Sequence, residues 1–293
     1  MVEHLIPSYD GTRIFYEDQG EGPVLVLCDG IGCDGYAWKY VYRDCGDRYR
    51  LIHWHYRAHG KSDDPEDRQS LSMRHLCRDL EVVLDHAGVE SGVFLGHSMG
   101  VQVILEFYHL YPERVRGLVP ICGSYGHPIN TFGDNKGLRL IFPLIFEMFM
   151  RYPDTIKQVW QRAIHSELAW QIAIRTEVDG NFAKKEDFLP YLEHISRINL
   201  ANFAQMLYFA SVHSAEPYLE QIAVPTLIIA GERDGFTPRW LSEVMEQRVP
   251  KATLRVIPNG THTAPIERPD LIVGWLEEFL PLCFEEREES PAL

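Results

Sequence analysis

The sequence predicts an α/β fold in which a mostly parallel β-sheet is covered by helices on both faces and carries a helical insertion. Short apolar runs rich in β-branched residues, typical of buried strands, alternate with segments whose apolar residues have helical spacing. This alternation stops near the middle of the chain, where helical patterns dominate and strand signals are few. The length of 293 residues fits one large domain or a core with such an insertion.

Apolar runs mark the strands along the chain. Buried strands are expected over residues 24–28, 51–55, 93–95, 118–122, 226–230 and 254–257. An antiparallel edge strand is expected over residues 13–17, after a turn at Asp10 and Gly11. Because a strand–helix–strand unit connects parallel neighbours, the repeated alternation favours a parallel sheet.

Helical patterns lie between most of these strands. In residues 74–87 the side chains of Leu76, Leu80, Val83 and Leu84 fall on one stripe, which is typical of a helix packed on a core. Further helices are expected over residues 99–110, 240–247 and 266–280. The last of these is expected to close the fold.

Residues 1–123 and 216–293 are therefore expected to form the core, and residues 124–215, called the cap segment here, to lie over one end of the sheet. The cap segment is dense in aromatic residues, which are Phe142, Phe146, Phe149, Trp160, Trp170, Phe182, Phe188, Tyr191, Phe203, Tyr208 and Phe209. At least half of these side chains are expected to form the core of the segment and its contact with the sheet. The remainder are expected to line an apolar pocket.

Composition narrows the classes of partner and location. The 42 acidic and 28 basic residues give a net charge of -14, which disfavours nucleic acid and anionic membrane surfaces as partners. No apolar run has the roughly 18 residues of a membrane span, and the N-terminal residues lack the pattern of a signal peptide. Six scattered cysteines without a C-x-x-C pair are typical of reduced thiols, so we expect a cytoplasmic protein. The sequence makes no prediction of its oligomeric state.

The strongest motif is the G-H-S-M-G sequence of residues 96–100, which matches G-x-S-x-G. A predicted strand precedes it and a predicted helix follows it, which is the setting that the motif requires. Glycines allow a strained turn without side-chain collisions, and the start of the helix favours negative charge at the reacting centre. Ser98 is therefore the candidate nucleophile, ahead of Ser124, which lacks the leading glycine.

With this motif in this setting, the chain resembles the α/β-hydrolase family over roughly residues 10–124 and 216–280. The resemblance implies a catalytic triad in the order Ser, Asp or Glu, His. It also implies an acid in a G-x-x-D loop after the strand that follows the insertion, and Asp234 ends such a loop. Asp234 is the candidate acid, with the neighbouring Glu232 as the alternative.

His262 is the candidate base. The chain has 13 histidines, so position and order select this one: it follows the last predicted strand and precedes the start of the final predicted helix. A histidine can take the proton of a serine hydroxyl and return it to the leaving group. A carboxylate fixes the tautomer of the imidazole and stabilises the imidazolium.

The resemblance also implies an oxyanion hole after the strand at 24–28. We expect the backbone N–H groups of Ile31 and Met99 to be its donors, with Gly30 retained beside them. Relatives usually carry His-Gly in this loop, whereas this chain has Asp29 before Gly30. The Asp29 carboxylate is expected to point away and to bond loop amides. The alternatives are that it tunes His262 or contacts substrate.

Other histidines are weighed against simpler roles. His97, beside the nucleophile, is interpreted as a packing residue. His53 and His55 alternate along a predicted strand with a spacing that can ligate zinc, but no carboxylate or cysteine partner is obvious. The sequence therefore predicts neither a metal nor a cofactor.

The leading hypothesis is a serine hydrolase that cleaves a carboxylic ester or lactone through an acyl-enzyme. Its substrate is expected to be a rather apolar small molecule of small to medium size. A cofactor-free perhydrolase (haloperoxidase) and a carbon–carbon bond hydrolase are the enzymatic alternatives. A receptor that binds a ligand and keeps the triad is the alternative of another class. An epoxide hydrolase is disfavoured, because those relatives need Asp where this chain has Ser98.

Overall fold

A computed structural model of the chain describes residues 1–128, 136–163, 166 and 184–284. Within these ranges one sheet contains the strands β1 (Val2–Pro7), β2 (Arg13–Gln19), β3 (Val24–Cys28), β4 (Arg50–Trp54), β5 (Gly92–His97), β6 (Val115–Ile121), β7 (Thr226–Gly231) and β8 (Ala252–Ile257). Their order in space is β1-β2-β4-β3-β5-β6-β7-β8. β1–β2 and β2–β4 are antiparallel, and every other neighbouring pair is parallel. The predicted fold class is therefore confirmed.

The predicted strands are all present, with small shifts at their ends. One position in the sheet was wrong: β2, expected at the edge, lies between β4 and β1. The sequence of β1, VEHLIP, lacks the continuous apolar run of a buried strand, and only Ile6 of it is buried. Its pattern therefore did not predict a strand. β1 joins the sheet through backbone hydrogen bonds to β2.

Helices cover both faces of the sheet. The described helices are α1 (Lys39–Cys45), α2 (Met73–His86), α3 (Met99–Leu110), α4 (Lys136–Arg151), α5 (Pro153–Ala163), α6 (Lys185–Arg197), α7 (Leu200–Val212), α8 (Arg239–Arg248), α9 (Ala264–Glu267) and α10 (Pro269–Phe284). Alternate strand residues point to opposite faces, so Val26 and Ile52 pack with α2 and α3. Leu25 and Leu27 pack with α1 and α10 on the other face.

The predicted helix over 266–280 was wrong in one respect, since it is divided into α9 and α10. Arg268 breaks it with a φ of -132° and a ψ of 56°. Pro269 follows, and a proline disfavours the helical conformation of the residue before it. α1 was not predicted, because it buries only Val41 and Cys45. No described helix combines the length and the apolar character needed to cross a membrane.

Helices α4 to α7 lie in the chain between β6 and β7, and the two crossings between them and the sheet lie side by side. Gly126 and Ser214 form an antiparallel bridge. The N–H of His127 donates to the carbonyl of His213 at 3.1 Å, and the N–H of Ala215 donates to the carbonyl of Tyr125 at 2.7 Å. These contacts, called the paired crossing here, join both ends of the helical region at one place.

A buried ion pair fixes the turn after β4. The Arg57 guanidinium is fully buried and donates to both carboxylate oxygens of Asp79 on α2, at 2.7 and 2.5 Å. It also donates to Ser70 Oγ at 2.6 Å and to Asp10 at 2.7 Å. The turn that begins at Arg57 continues to residues that contact the candidate site. This ion pair therefore fixes a segment that supports the site.

Asp79→Ala is expected to lower the free energy of unfolding by about 3–5 kcal/mol, because it leaves a buried guanidinium without its main partner. Asp63→Ala is the matched control: its ion pair with Arg13 is exposed, and its loss is expected to cost less than about 1 kcal/mol. Urea titration measures both variants. Equal costs would contradict the prediction.

Candidate active site

Ser98 lies on a strained turn between β5 and α3. Its φ of 55° and ψ of -117° are values that a residue with a side chain rarely adopts. A Cβ at Gly96 would lie 2.4 Å from the carbonyl oxygen of Gly100, and a Cβ at Gly100 would lie 2.1 Å from that of Cys28. Both positions therefore require glycine, and the predicted strand–turn–helix setting is present.

The structure brings Ser98, His262 and Asp234 together. His262 Nε2 lies 2.8 Å from Ser98 Oγ, and His262 Nδ1 lies 2.9 and 3.1 Å from the two carboxylate oxygens of Asp234. Ser98 follows β5, Asp234 follows β7 and His262 follows β8. These parallel strands present their carboxyl ends at one edge of the sheet, which is where ligands bind in open α/β sheets.

The carboxylate of Asp234 is held by its own loop. It accepts hydrogen bonds from the N–H groups of Phe236 and Thr237 at 2.8 and 2.9 Å, and from the Thr237 hydroxyl at 2.8 Å. Burial acts to raise the pKa of Asp234, but His262 and the bonds from Thr237 outweigh it and hold this pKa below its ordinary value. An ionised Asp234 accepts from Nδ1–H of His262, which leaves Nε2 free to accept the Ser98 proton. Thr237 was not predicted.

His97 supports the base through the backbone. Its Nε2–H donates to the carbonyl oxygen of His262 at 2.9 Å, and the two rings lie 5.2 Å apart. Burial, with the nearby His262, lowers the pKa of His97 to about 4, so the ring is a neutral donor. The packing role expected of His97 thus includes a specific hydrogen bond to the loop that carries the base.

The loop after β3 lies directly against the nucleophile. A Cβ at Gly30 would be 3.1 Å from the Cβ of Ser98. Ile31 and Met99 line the same cavity as Ser98. Within the described ranges, neither the Ile31 N–H nor the Met99 N–H donates to another residue. Met99 begins α3, whose first N–H groups have no partner inside the helix.

The expected partners of Asp29 were wrong. Its buried carboxylate binds His53 Nε2 at 2.8 Å, and none of the described loop amides donates to it. His53 lies on β4, paired with Leu27 of β3, so the sheet register places the imidazole beside the loop. Glu17 lies 3.7 Å from the other ring nitrogen of His53.

His53 balances the charge of Asp29. Burial acts to lower the pKa of His53, but the charges of Asp29 and Glu17 and the hydrogen bond to Asp29 raise it to about 9. The ring is therefore an imidazolium at neutral pH. A buried cation next to Asp29 offsets the opposition that its carboxylate would present to negative charge near Ser98. His55, which has a zinc-ligand spacing with His53 in the sequence, accepts the N–H of Lys61 at Nδ1.

The cavity at Ser98 has a volume of about 340 Å³. Helices α4, α6 and α7 contribute Ile145, Tyr191, Phe203 and Leu207 to its lining. Within the part of the chain that the structure describes, no Asp, Glu, Lys or Arg lines it. The described lining is therefore mostly apolar, with a few polar side chains in it, which include Gln102, Ser124, Thr237, Thr263 and the two histidines.

The aromatic residues of the cap segment lie in different environments. Tyr191 and Phe203 line the cavity as expected, whereas Phe188 is fully buried in the core beside α1. Tyr208 is exposed. The side chains of Phe142, Trp160, Trp170 and Phe182 lie outside the described residues.

A second crevice of about 910 Å³ lies between the turn after β4 and helices α5 to α7. Its lining mixes basic and acidic side chains, among them Lys61, Arg68, Asp63 and Asp64, and includes neither Ser98 nor His262. Several of these groups are already bound to others nearby: Asp63 to Arg13, Lys61 to Glu3, and Arg68 to the side-chain oxygen of Asn202. The smaller cavity is therefore the candidate active site.

Comparison with known proteins agrees with this architecture. A family model described as alpha/beta hydrolase fold matches residues 23–269. An esterase from Thermogutta terrifontis has a similar structure, with a TM-score of 0.76 and 22% identity, over 97% of this chain and 99% of that chain.

Two curated relatives show the range of reactions within this similarity. Bifunctional epoxide hydrolase 2 of Mus musculus is 22% identical over 91% of this chain, which spans only 54% of that longer protein. The 2-hydroxy-6-oxononadienedioate/2-hydroxy-6-oxononatrienedioate hydrolase of Comamonas testosteroni is 28% identical, over 92% of this chain and 91% of the relative.

The buried pair of Asp29 and His53 makes stability depend on pH in a defined direction. Because the pKa of His53 is raised by folding, its stabilisation is complete below about pH 6.5 and is lost as pH rises through about 9. The loss is expected to be on the order of 3 kcal/mol.

The measurement compares the free energy of unfolding of the wild type with that of the double variant Asp29→Asn/His53→Gln between pH 6.5 and 9.5. The excess stability of the wild type should shrink over this interval, since other titrating groups cancel in the difference. A constant difference would show that His53 is neutral in the folded protein.

Proposed function

The chain belongs to the α/β-hydrolase family, and we propose that it is a serine hydrolase that cleaves a carboxylic ester or lactone of a small, apolar substrate. The observation that carries the proposal is the alignment of Asp234, His262 and Ser98, with His262 Nε2 at 2.8 Å from Ser98 Oγ. A hydroxyl held by a base that is itself oriented by a buried carboxylate is the arrangement that activates a serine.

The proposed reaction has two halves. Ser98 Oγ attacks the carbonyl carbon while His262 Nε2 takes its proton, and the Ile31 and Met99 N–H groups bind the oxyanion. The tetrahedral intermediate collapses, the C–O bond breaks, and the alcohol leaves with the proton from His262. Water, deprotonated by His262, then attacks the acyl carbon; the bond from that carbon to Ser98 Oγ breaks, His262 returns the proton to Oγ, and the acid is released. Each oxyanion donor is worth roughly 3 kcal/mol of the barrier.

The serine nucleophile favours esters over epoxides, although an epoxide hydrolase is among the relatives. Attack of a carboxylate on an epoxide carbon forms an ester, which water can cleave at its carbonyl. Attack of Ser98 Oγ would form an alkyl ether, which has no carbonyl for water to attack. The enzyme would then stop after one turnover.

The cavity favours an uncharged acyl group of modest size. The volume of about 340 Å³ lies at the low end of ligand pockets. Burial of a carboxylate without a cationic partner costs several kcal/mol, and the described lining offers no Lys or Arg. The Comamonas testosteroni relative is named for a dioate substrate. We expect this chain to reject such dianions, and we propose that residues 124–215 act as the cap that makes this selection.

Ser98→Ala is expected to lower kcat on p-nitrophenyl butyrate by roughly 10⁴- to 10⁶-fold, because the nucleophile is lost. Asp234→Asn is expected to lower it by about 10⁴-fold, because the imidazole is held in the wrong tautomer. Ser91→Ala serves as the control, since Ser91 precedes the opposite end of β5 and binds Arg116. A wild type no faster than Ser98→Ala, or an activity abolished by Ser124→Ala instead, would refute the proposal.

The selectivity test compares ethyl butyrate with monoethyl succinate, which has similar length and a terminal carboxylate. The charged ester is expected to have a kcat/KM lower by at least about 100-fold, since its carboxylate loses water without gaining a partner. Leu207→Lys places a cation on the cavity wall and should narrow this ratio. A pH-stat measures both rates. Equal values for the two esters in the wild type would contradict an uncharged acyl site.

A further inference from the structure

Two histidines hold the peptide groups that follow Ile31. The N–H of Gly32 donates to His59 Nε2 at 2.9 Å, and the carbonyl of Gly32 accepts from His194 Nδ1 at 2.8 Å. Both histidines are buried, with 2% of His59 and 7% of His194 exposed. The two successive peptide groups beyond the proposed oxyanion donor are therefore fixed from both sides.

The partners of His194 define its protonation state. Its Nε2 accepts the N–H of Gly60 at 2.7 Å, and an accepting nitrogen carries no proton. Its Nδ1 donates to a carbonyl and so carries the proton. Only the neutral Nδ1–H form makes both bonds. In this form one side chain of α6 links the loop after β3 to the turn after β4.

The helices of the cap segment also pack directly on Gly32. Its φ is +74°, and a Cβ there would lie 3.1 Å from Ile195 Cγ1 and 3.2 Å from Phe203 Cε2. Phe203 lines the candidate cavity, and so does Tyr191, one helical turn before His194 on α6. The surface that would contact a bound acyl group and the side chain that holds Gly32 thus belong to the same helices.

We propose that His194 is a positioning residue, which holds the backbone of Ile31 and Gly32 so that the Ile31 N–H faces the oxyanion formed at Ser98. The inference rests on the proposed function, because it requires an oxyanion at that place. Oxyanion donors act over a narrow range of distance, about 2.7–3.1 Å. A displacement of this loop by a fraction of an ångström therefore weakens transition-state binding more than substrate binding.

The first test separates positioning from substrate binding. His194→Ala is expected to lower kcat for p-nitrophenyl butyrate by about 10- to 100-fold, part of the loss that follows removal of an oxyanion donor, with KM nearly unchanged. Binding of a trifluoromethyl ketone, which Ser98 Oγ attacks to form an oxyanion, should weaken by the same factor as kcat/KM. His194→Asn should restore part of kcat, because its amide N–H can donate to Gly32 in place of Nδ1–H.

The control is His127→Ala. His127 belongs to the same segment and donates to the carbonyl of Ser211 at 3.1 Å, without a bond to residues 29–35. It is expected to leave kcat unchanged. Hydrogen exchange adds a measurement that does not depend on turnover: amides of residues 29–35 should exchange faster in His194→Ala than in the wild type or in His127→Ala. If His194→Ala folds poorly, His194→Asn carries the same comparison with smaller effects.

The outcomes distinguish the two proposals. An active wild type whose kcat and loop exchange are unaffected by His194→Ala overturns the positioning role and leaves the proposed function in place. A rise in KM at constant kcat also overturns it, because His194 would then serve substrate binding alone. A wild type no faster than Ser98→Ala overturns the proposed function and the inference with it.

Discussion

Close contact between backbone segments at the carboxyl edge of the sheet is the constraint on which the candidate site depends. The end of β3 and the first turn of α3 meet where a Cβ at Gly100 would lie 2.1 Å from the Cys28 carbonyl oxygen. Gly30 also lies close to the nucleophile, since a Cβ there would be 3.1 Å from the Cβ of Ser98. These contacts place Ile31, Met99 and Ser98 in the lining of one cavity. The register of β7 and β8 then brings Asp234 and His262 to the same place.

Much of this arrangement could be predicted from the sequence, because it is encoded locally. Apolar runs of strand length indicate the strands, and the glycines at 96 and 100 indicate the turn. Each of these patterns spans only a few residues. The order of Ser98, Asp234 and His262 along the chain adds the triad, through resemblance to a family. Each of these signals depends on residues that are adjacent in sequence or on the order of residues along the chain. None of them requires knowledge of how side chains pack.

The features that could not be predicted depend on contacts between distant residues. Asp29 binds His53 because β3 and β4 pair in a register that brings the two residues together. Nothing in the sequence around either residue indicates that pairing. His194 is separated from Gly32 by more than half the chain, and its role depends on how α6 packs against the loop after β3. β1 was missed because it presents one buried side chain, and its pairing depends on backbone groups that every sequence has.

The paired crossing has a consequence for how such a chain can diversify. The chain enters and leaves the helical region at one place, where Gly126 and Ser214 form a bridge. The way in which the helices are connected to each other therefore does not affect the order of the strands. Its length can therefore change without altering the places of β6 and β7, provided that contacts such as the one between His194 and Gly32 are kept. The side chains that these helices contribute to the candidate cavity can thus change, while Ser98, Asp234 and His262 keep their positions at the edge of the sheet.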